Sequence, residues 1–287
     1  MTQKIDLDPA ARTIDGIPSG MMSIFGRFPG SASPWTGPAF EETMYTLNYL
    51  TTKDAIAAAL PSPLQPIEGE EPIATVLIGH NRHWRTFDGK WSNYIEVGFF
   101  LPCEYVSKSG EKYSGLHPLW FLMDNRSGDK TEGAEIAVLG YREISGWHKQ
   151  IGNVHFGGTG DQVHATLEAR GVRLATLDMQ TREEADVSEL PMAGRDYWLL
   201  VKEIPNCDFT GYDVRKVIGR SAKGFSQPGS VTNLKRGTGT VEFGYLESHP
   251  IAGLECIEPR DAHQFTFGGT VEGTLHSYFE IDDLLKD

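Results

Sequence analysis

The chain has 287 residues, of which 39% are hydrophobic, so it is long enough to bury a substantial core. Its formal net charge of −13 argues against a general nucleic-acid binder, which would carry a basic patch, and against docking on an anionic membrane. Three distant cysteines form no CxxC pair, so we predict no disulfide framework. The first residues lack the apolar run of a signal peptide, and no apolar stretch approaches the roughly 18 residues of a membrane span. We therefore predict a cytoplasmic protein.

The first predicted helix follows a long irregular segment and one strand. Residues 1–40 are rich in glycine, proline and serine, and we predict an arm that wraps around the fold. The alternating run TMYTLNYL then predicts a strand. In TTKDAIAAALPSPL, Thr51 is the expected N-cap of a helix, and Asp54 completes a capping-box pattern. Pro61 and Pro63 are expected to end this helix.

Strand patterns dominate the rest of the chain because β-branched and aromatic residues recur in short alternating runs. The segments are IATVLIGH, NYIEVGFFLPCEYV, LHPLWFLM, VHATLEARGVRLATLDM, YWLLVKEI, RKVIGRSA, GTVEFGYL and HQFTFGGTVEGTLHSYF. Two more helices are predicted, EGAEIAVLGYREIS and YFEIDDLLKD. Without repeats or a β-α alternation, the pattern predicts a mainly β (α+β) fold of antiparallel sheet, closed into a barrel or stacked into a sandwich. No linker divides the chain, so we predict a single domain over residues 1–287.

Familiar catalytic and metal-binding motifs are absent or weak. The sequence has no GxSxG, HExxH or GxxxxGK[ST] motif. His80 and His83 form an HxxH pair without a third ligand, so no metal site is expected there. The imine chemistry discussed below requires neither a metal nor an organic cofactor. The glycine run Gly157–Gly160 predicts a hairpin turn, and Asp124 and Asn125, which follow an apolar strand, predict another turn.

One lysine stands in unusual surroundings. The segment YREISGWHKQIGNVHF places Lys149 among Trp147, Ile151 and Phe156, with His148 directly before it. Read locally, it is an ordinary exposed lysine of a loop. An apolar pocket, however, disfavours the charged form of a lysine side chain and lowers its pKa, and a cationic histidine would add repulsion. A neutral amine condenses with ketones to form a Schiff base, so the segment indicates imine chemistry as the alternative.

The same segment resembles the signature of the acetoacetate decarboxylase-like superfamily. In that signature, a Gly-x-Arg-Glu run precedes a small residue, an aromatic residue and the Schiff-base lysine. Further blocks resemble the family in the same order: LPSPL, NYIEVGFFLP, LWFLMDN, YWLLVKEIPN and GTVEFGYLESHPIAGLECIEP. The resemblance covers roughly Tyr45 to the last residue. It implies an antiparallel β-barrel wrapped by additional sheet, with a few short helices.

The resemblance also implies roles for individual residues. Lys149 would be the Schiff-base nucleophile and Glu96 the carboxylate that acts as acid, base or orienting group. Tyr94 shares a strand face with Glu96 and could hydrogen-bond the substrate, although a solvent-facing glutamate and a packed core tyrosine are the simpler interpretations. The implied substrate-binding residues lie in the signature: Trp147, His148, Gln150, Arg142 and Glu143.

Departures from the family decide between activities. Gln150 stands where acetoacetate decarboxylases carry a second lysine, and Leu50 is the position that we match to an arginine of that family. These losses favour an aldolase-dehydratase that condenses pyruvate with an aldehyde over a decarboxylase of acetoacetate or another β-keto acid. A non-catalytic β-barrel that binds a small apolar ligand is the third alternative. The expected partners are a small keto acid, an aldehyde in the aldolase-dehydratase alternative, and copies of the same chain in a homo-oligomer.

Overall fold

The computed structural model describes residues 40–85, 90–124, 146–226, 228–247, 249, 251, 253–269 and 278–286. Two predicted segments lie outside the described residues: the arm up to residue 39 and the helix at 132–145, which contains Arg142 and Glu143. Asn125 also lies outside them.

The described residues form thirteen strands, one α-helix and two short 3-10 turns. In chain order these are β1 (Phe40–Leu50), α1 (Lys53–Ala59), β2 (Ile73–Arg85), β3 (Lys90–Val106), β4 (Lys112–Asp124), β5 (Lys149–Ile151), β6 (Asn153–Thr159), β7 (Gln162–Ala169), β8 (Val172–Glu184), a turn at Val187–Glu189, β9 (Tyr197–Pro205), β10 (Tyr212–Ser221), a turn at Lys223–Ser226, β11 (Val231–Phe243), β12 (Glu258–Gly269) and β13 (Tyr278–Asp283).

All of these strands join one sheet, whose order is β13-β10-β9-β4-β3-β2-β1-β12-β11-β8-β7-β6, with β5 beside β4. Neighbours are antiparallel except that β4 pairs in parallel with β5 and β9. The prediction of a mainly β architecture with few helices is confirmed. Strand β6, at one end of this order, follows β5 after Gly152 alone, and β5 pairs with β4, so the chain brings this end of the sheet back toward β4. Among the described strands, however, no ladder joins β6 to β4. Closure into a barrel therefore stays a prediction.

Both faces of the sheet bury apolar side chains. One face carries a mainly aliphatic core that includes Leu47, Val97, Leu122, Leu167 and Leu177. The other carries what we call the aromatic core: Phe100, Phe121, Trp147, Trp198, Phe225, Phe265 and Phe267. Alternation along β3 separates them, since Val97 faces the aliphatic core while Glu96 and Gly98 face the aromatic core. The candidate site lies on the aromatic side.

Helix α1 begins one residue later than the sequence indicates. The Oγ1 atom of Thr52 accepts a hydrogen bond from the backbone N–H of Ala55 at 3.0 Å, which makes Thr52 the N-cap. The predicted N-cap, Thr51, is wrong because its backbone N–H continues the sheet and donates to the carbonyl of Pro72. The helix ends before Pro61, as predicted.

The predicted helix YFEIDDLLKD is also wrong, because Tyr278–Asp283 forms the strand β13. This strand pairs with β10 in antiparallel register. Lys216 of β10 donates to the Glu280 carboxylate at 2.7 Å, and Tyr105 donates to the Asp282 carboxylate at 2.6 Å. Pairing with a distant strand thus overrides the local preference for helix.

Several smaller expectations can be compared with the described residues. The hairpin turn predicted at Gly157–Gly160 lies instead at Gly160 and Asp161, because Gly157, Gly158 and Thr159 still pair with β7 as part of β6. No helix in the described ranges is long and apolar enough to cross a membrane. The same ranges contain no group of three or more His, Cys, Asp or Glu residues placed to hold a metal ion. The ring of His80 packs edge-on against Phe156, with centroids 4.4 Å apart.

Candidate functional site

A short parallel strand brings Lys149 onto the sheet. Lys149 begins β5 and lies opposite Phe121 of β4, whose N–H donates to the carbonyl of His148 at 2.8 Å. Gly146, just before this strand, has a φ of +85°. A Cβ at that position would lie 2.9 Å from the Cα of Lys202, so a glycine is required where the chain passes β9.

The amine of Lys149 is buried in the aromatic core beside one carboxylate. The residue is only 8% exposed, and its Nζ donates to Oε2 of Glu96 at 2.9 Å. The same Nζ lies 4.9 Å from the ring centroid of Phe121 and 5.5 Å from that of Trp147. An ammonium and a carboxylate at this distance stabilise each other, so apolar contact is not the whole environment of this amine.

Strand β3 positions the carboxylate. Glu96 lies opposite Met123 of β4, on the strand face that also carries Tyr94 and Gly98. A Cβ at Gly98 would lie 2.3 Å from the ring of Phe121, so the missing side chain leaves room for that ring beneath the lysine amine. Tyr94 is buried two residues before Glu96. The structure therefore brings together the predicted residues Lys149, Glu96 and Tyr94 on one side of the sheet.

Residues of two distant strands contact Trp147, and neither of these residues was predicted from the sequence. The indole Nε1 donates to the hydroxyl of Tyr278 in β13 at 2.8 Å. The guanidinium carbon of Arg220 in β10 lies 5.6 Å from the Trp147 ring centroid and 5.5 Å from that of Tyr278. An arginine in the otherwise apolar run VIGR was the available signal for this local cation.

The other residues of the signature lie elsewhere. Gln150 alternates with Lys149 within β5, so the two side chains leave opposite faces of the strand. His148 is half-buried and interacts electrostatically with His117. Burial lowers the pKa of His117 to about 3, while its hydrogen bond with the carbonyl of Leu199 acts in the opposite direction.

Ile151 and Phe156, which were expected to line the lysine pocket, lie elsewhere. Ile151 is 49% exposed. Phe156 packs against Tyr45 and His80, at centroid distances of 5.5 and 4.4 Å, on the aliphatic side of the sheet. The ring of Phe121, from the neighbouring strand, takes their place, and only its position in space reveals this.

A buried aspartate fixes the strand that follows the lysine. Asp124 is predicted as a turn residue, but it is the buried last residue of β4. Its Oδ2 accepts a hydrogen bond from the N–H of Val154 at 2.8 Å. The contact ties the start of β6 to the end of β4 and so restrains β5, which lies between them in the sequence.

The position compared with a family arginine lies far from the amine. Leu50 is the last residue of β1 and pairs with Ile73. Met44, six residues earlier, lies opposite Gly79, which in turn pairs with Glu96. At about 3.4 Å per residue, Leu50 is roughly 20 Å along the strand from this row. The side chain at Leu50 therefore says nothing about charge at the candidate site.

Comparisons with known proteins show the family and the fold of the chain. The family model of acetoacetate decarboxylase (ADC) matches residues 27–279. No curated protein matches the chain. A solved structure of the enduracididine biosynthesis enzyme MppR, complexed with the condensation product of pyruvate and imidazole 4-carboxaldehyde, superposes with a TM-score of 0.65 at 16% identity, covering 89% of this chain and 94% of that one.

Two solved decarboxylases are similarly close. A structure of acetoacetate decarboxylase superposes with a TM-score of 0.64 at 19% identity, covering 92% of this chain and 98% of that one. The acetoacetate decarboxylase from Legionella pneumophila subsp. pneumophila str. Philadelphia 1 gives a TM-score of 0.60 at 19% identity, covering 96% of this chain and 100% of that one. At these identities the likeness shows a common fold.

Proposed function

Because the chain belongs to the acetoacetate decarboxylase (ADC) family, we propose that it is a carbon–carbon lyase that forms a Schiff base between Lys149 and a small keto acid. We propose further that it is an aldolase-dehydratase, which condenses pyruvate with an aldehyde. The observation that carries the proposal is the buried contact of 2.9 Å between the Lys149 amine and the Glu96 carboxylate. A nucleophile paired with a proton acceptor inside an aromatic core is what imine chemistry requires.

The proposed reaction begins with proton transfer from Lys149 to Glu96. The neutral amine attacks the ketone carbon of pyruvate and the carbonyl electron pair moves to oxygen. That oxygen leaves as water with the proton held by Glu96, which gives a protonated imine and restores the Glu96 carboxylate. Glu96 then removes a proton from the methyl carbon to give an enamine. That carbon bonds to the aldehyde carbon, water is eliminated, and hydrolysis of the imine frees both lysine and product. Tyr94 is proposed to hydrogen-bond the substrate, and Trp147 to form a wall of its site.

The carboxylate of an anionic keto acid needs a cation in a protein of net charge −13. We propose that Arg220 supplies it, because its guanidinium and the Lys149 amine both lie within 6 Å of the Trp147 ring centroid. Arg220→Gln is expected to raise the KM for pyruvate about tenfold or more while imine formation still saturates. An unchanged KM would contradict this role.

Borohydride reduction in the presence of pyruvate tests the proposal directly. A covalent adduct is expected on Lys149, and Lys149→Arg is expected to abolish it. Lys216→Arg is a matched control, since Lys216 also pairs with a glutamate, Glu280, at 2.7 Å but lies on β10. An unmodified lysine at saturating pyruvate would contradict the proposal.

Decarboxylation of a β-keto acid is the second candidate. One observation favours it. The side chain of Gln150 leaves the face of β5 opposite to Lys149, so a lysine at this position would not face the amine, and its absence does not count against decarboxylation. Carbon dioxide release from acetoacetate separates the two activities. Under the first proposal, pyruvate and an aldehyde are consumed together and acetoacetate releases no carbon dioxide above the level of Lys149→Arg.

The remaining proposals concern the setting of the reaction. The chemistry written above uses protein groups alone, and we propose that no metal or organic cofactor takes part. We also propose that the chain forms a homo-oligomer, as the resemblance to the family implies, and that it works in the cytoplasm. Sedimentation of the intact chain would measure the oligomeric state, and a monomer at all concentrations would contradict that part.

A further inference from the structure

A buried amide lies on the same side of the sheet as the candidate site. Asn81 of β2 pairs in register with Tyr94 of β3, two residues beyond the pair formed by Gly79 and Glu96. It is 1% exposed. Its Nδ2 donates to the carbonyl of Gly79 at 3.4 Å, but its Oδ1 has no hydrogen-bond partner among the described residues.

The glycine next to this row shows where the amide lies. A Cβ at Gly79 would meet Nδ2 of Asn81 at 3.2 Å, Oδ1 of Asn81 at 3.3 Å and Cγ of Glu96 at 3.4 Å. The amide of Asn81 is therefore folded back over Gly79 and lies beside the Glu96 side chain. Because Glu96 contacts the Lys149 amine, the unpaired amide oxygen borders the proposed reaction site.

Buried polar atoms in folded proteins almost always have a partner, and an exception calls for an explanation. Swapping the amide atoms would place Oδ1 against the carbonyl of Gly79, so the free atom is an acceptor. We propose that Asn81 is a specificity-determining residue, whose Oδ1 accepts a hydrogen bond from a substrate hydroxyl. This inference rests on the proposed function, since it assigns the substrate class of the same site.

The condensation reaction itself creates the donor that Asn81 lacks. When the enamine carbon bonds to the aldehyde carbon, the carbonyl electron pair moves to oxygen, and that oxygen takes a proton from Glu96. The product of this step carries a new hydroxyl. The ketone and carboxylate of an unreacted keto acid are acceptors only, as are those of acetoacetate. Asn81 therefore selects the hydroxyl-bearing adduct over a plain keto acid.

Two keto acids that differ by one hydroxyl test this selection. The probes are 2-oxobutanoate and 4-hydroxy-2-oxobutanoate, and the readout is the concentration that half-saturates borohydride trapping on Lys149. The adduct mass distinguishes intact from dehydrated ligand. The unmodified protein is expected to half-saturate at about tenfold lower concentration with the hydroxylated probe, which corresponds to about 1.4 kcal/mol. Asn81→Leu is expected to remove this preference, and its half-saturating concentration of 2-oxobutanoate is expected to stay within about twofold of that of the unmodified protein.

Thr46→Val provides a matched control. The Oγ1 of Thr46 is also buried without a hydrogen-bond partner in the described part of the chain, but Thr46 lies opposite Leu77 of β2. This variant should keep the preference for the hydroxylated probe. Equal trapping of both probes by the unmodified protein would overturn the role of Asn81, even if Asn81→Leu failed to fold. So would a variant that weakens both probes equally. Absence of any adduct would overturn the proposed function as well.

Discussion

The contact between Lys149 and Glu96 is costly to place inside a protein. Removing a charged lysine and a charged glutamate from water costs several kcal/mol for each ion, and their mutual attraction seldom returns more than this. A pair of apolar residues would serve stability at least as well. The proposed function gives the pair a chemical reason, because in it the carboxylate receives the proton that the amine must lose before it attacks a carbonyl.

Replacing the carboxylate by its amide separates these roles. Glu96→Gln keeps the shape of the side chain but removes the proton acceptor, so imine formation with pyruvate is expected to slow by about 10²–10⁴-fold. The rate of adduct formation under borohydride measures this. Glu104→Gln is the matched control, because Glu104 also lies on β3 and pairs with a lysine, Lys112, at 2.7 Å. Equal rates for the two variants would contradict a proton-transfer role.

At the level of residues, the sequence identifies the polar pair but not its surroundings. Lys149 and Glu96 can be found because their neighbours in the sequence match a family pattern. Phe121, Tyr278 and Asn81 cannot be found this way, since each acquires its meaning from a contact across strands. The unpaired Oδ1 of Asn81, in particular, is a property of packing that no local pattern encodes.

Strand β13 connects a distant part of the chain to the candidate site. Its first residue, Tyr278, accepts the hydrogen bond of the Trp147 indole, and Trp147 lies against the Lys149 amine. The orientation of this wall therefore depends on pairing between β13 and β10 as well as on β5. Both β10 and β13 are far from Lys149 in the sequence.

A double-mutant cycle measures this connection. Trp147→Phe and Tyr278→Phe each remove one partner of the same hydrogen bond, so each is expected to lower the free energy of unfolding by about 1 kcal/mol or more. The double variant should lose less than the sum of the two, with a coupling energy of about 1 kcal/mol. Urea unfolding provides the measurement, and strictly additive losses would show that the bond contributes nothing.

The start of helix α1 gives an independent test of the described cap. Thr52→Ala removes the Oγ1 acceptor of the Ala55 N–H and is expected to cost about 1 kcal/mol. Thr51→Val keeps the shape of a buried side chain whose hydroxyl has no hydrogen-bond partner among the described residues, and it should be nearly neutral. The opposite order of stabilities in thermal unfolding would restore Thr51 as the cap.

Elements are predictable to the extent that local pattern and tertiary pairing agree. The central strands are rich in β-branched and aromatic residues, so their type follows from composition. Tyr278–Asp283 contains acidic residues that suit a helix or a turn equally well, and only its partner β10 makes it a strand. The Thr51 error has the same origin, because a tertiary hydrogen bond to Pro72 extends the sheet by one residue.

Across the whole molecule, burial of histidines makes stability depend on pH. Burial lowers the pKa of His117 to about 3 and, with a smaller effect from the charge of Arg170, lowers the pKa of His249 to about 4. Both values lie below the ordinary 6.5, so the unfolded chain binds more protons in this range. Stability is therefore full above pH 6.5 and falls as the pH drops toward 4.

Unfolding in urea between pH 4.5 and 7.5 should reveal this slope. Each buried histidine contributes up to about 1.4 kcal/mol per pH unit below 6.5. His249→Phe should flatten the curve while keeping an edge-on ring against Trp120, where the centroids are 3.9 Å apart in the native protein. Curves of equal slope for the variant and the unmodified protein would show that His249 is not the titrating group.

The position of β13 in the chain has a consequence for synthesis. During translation Lys149 leaves the ribosome long before Tyr278, so the nascent chain carries the amine well before the residue that fixes its aromatic wall exists. Among the described strands, the last in the chain is thus the one that anchors the Trp147 wall of the candidate site. A chain that ended before β13 would keep Lys149 and Glu96 yet lack the hydroxyl that accepts the hydrogen bond of the Trp147 indole.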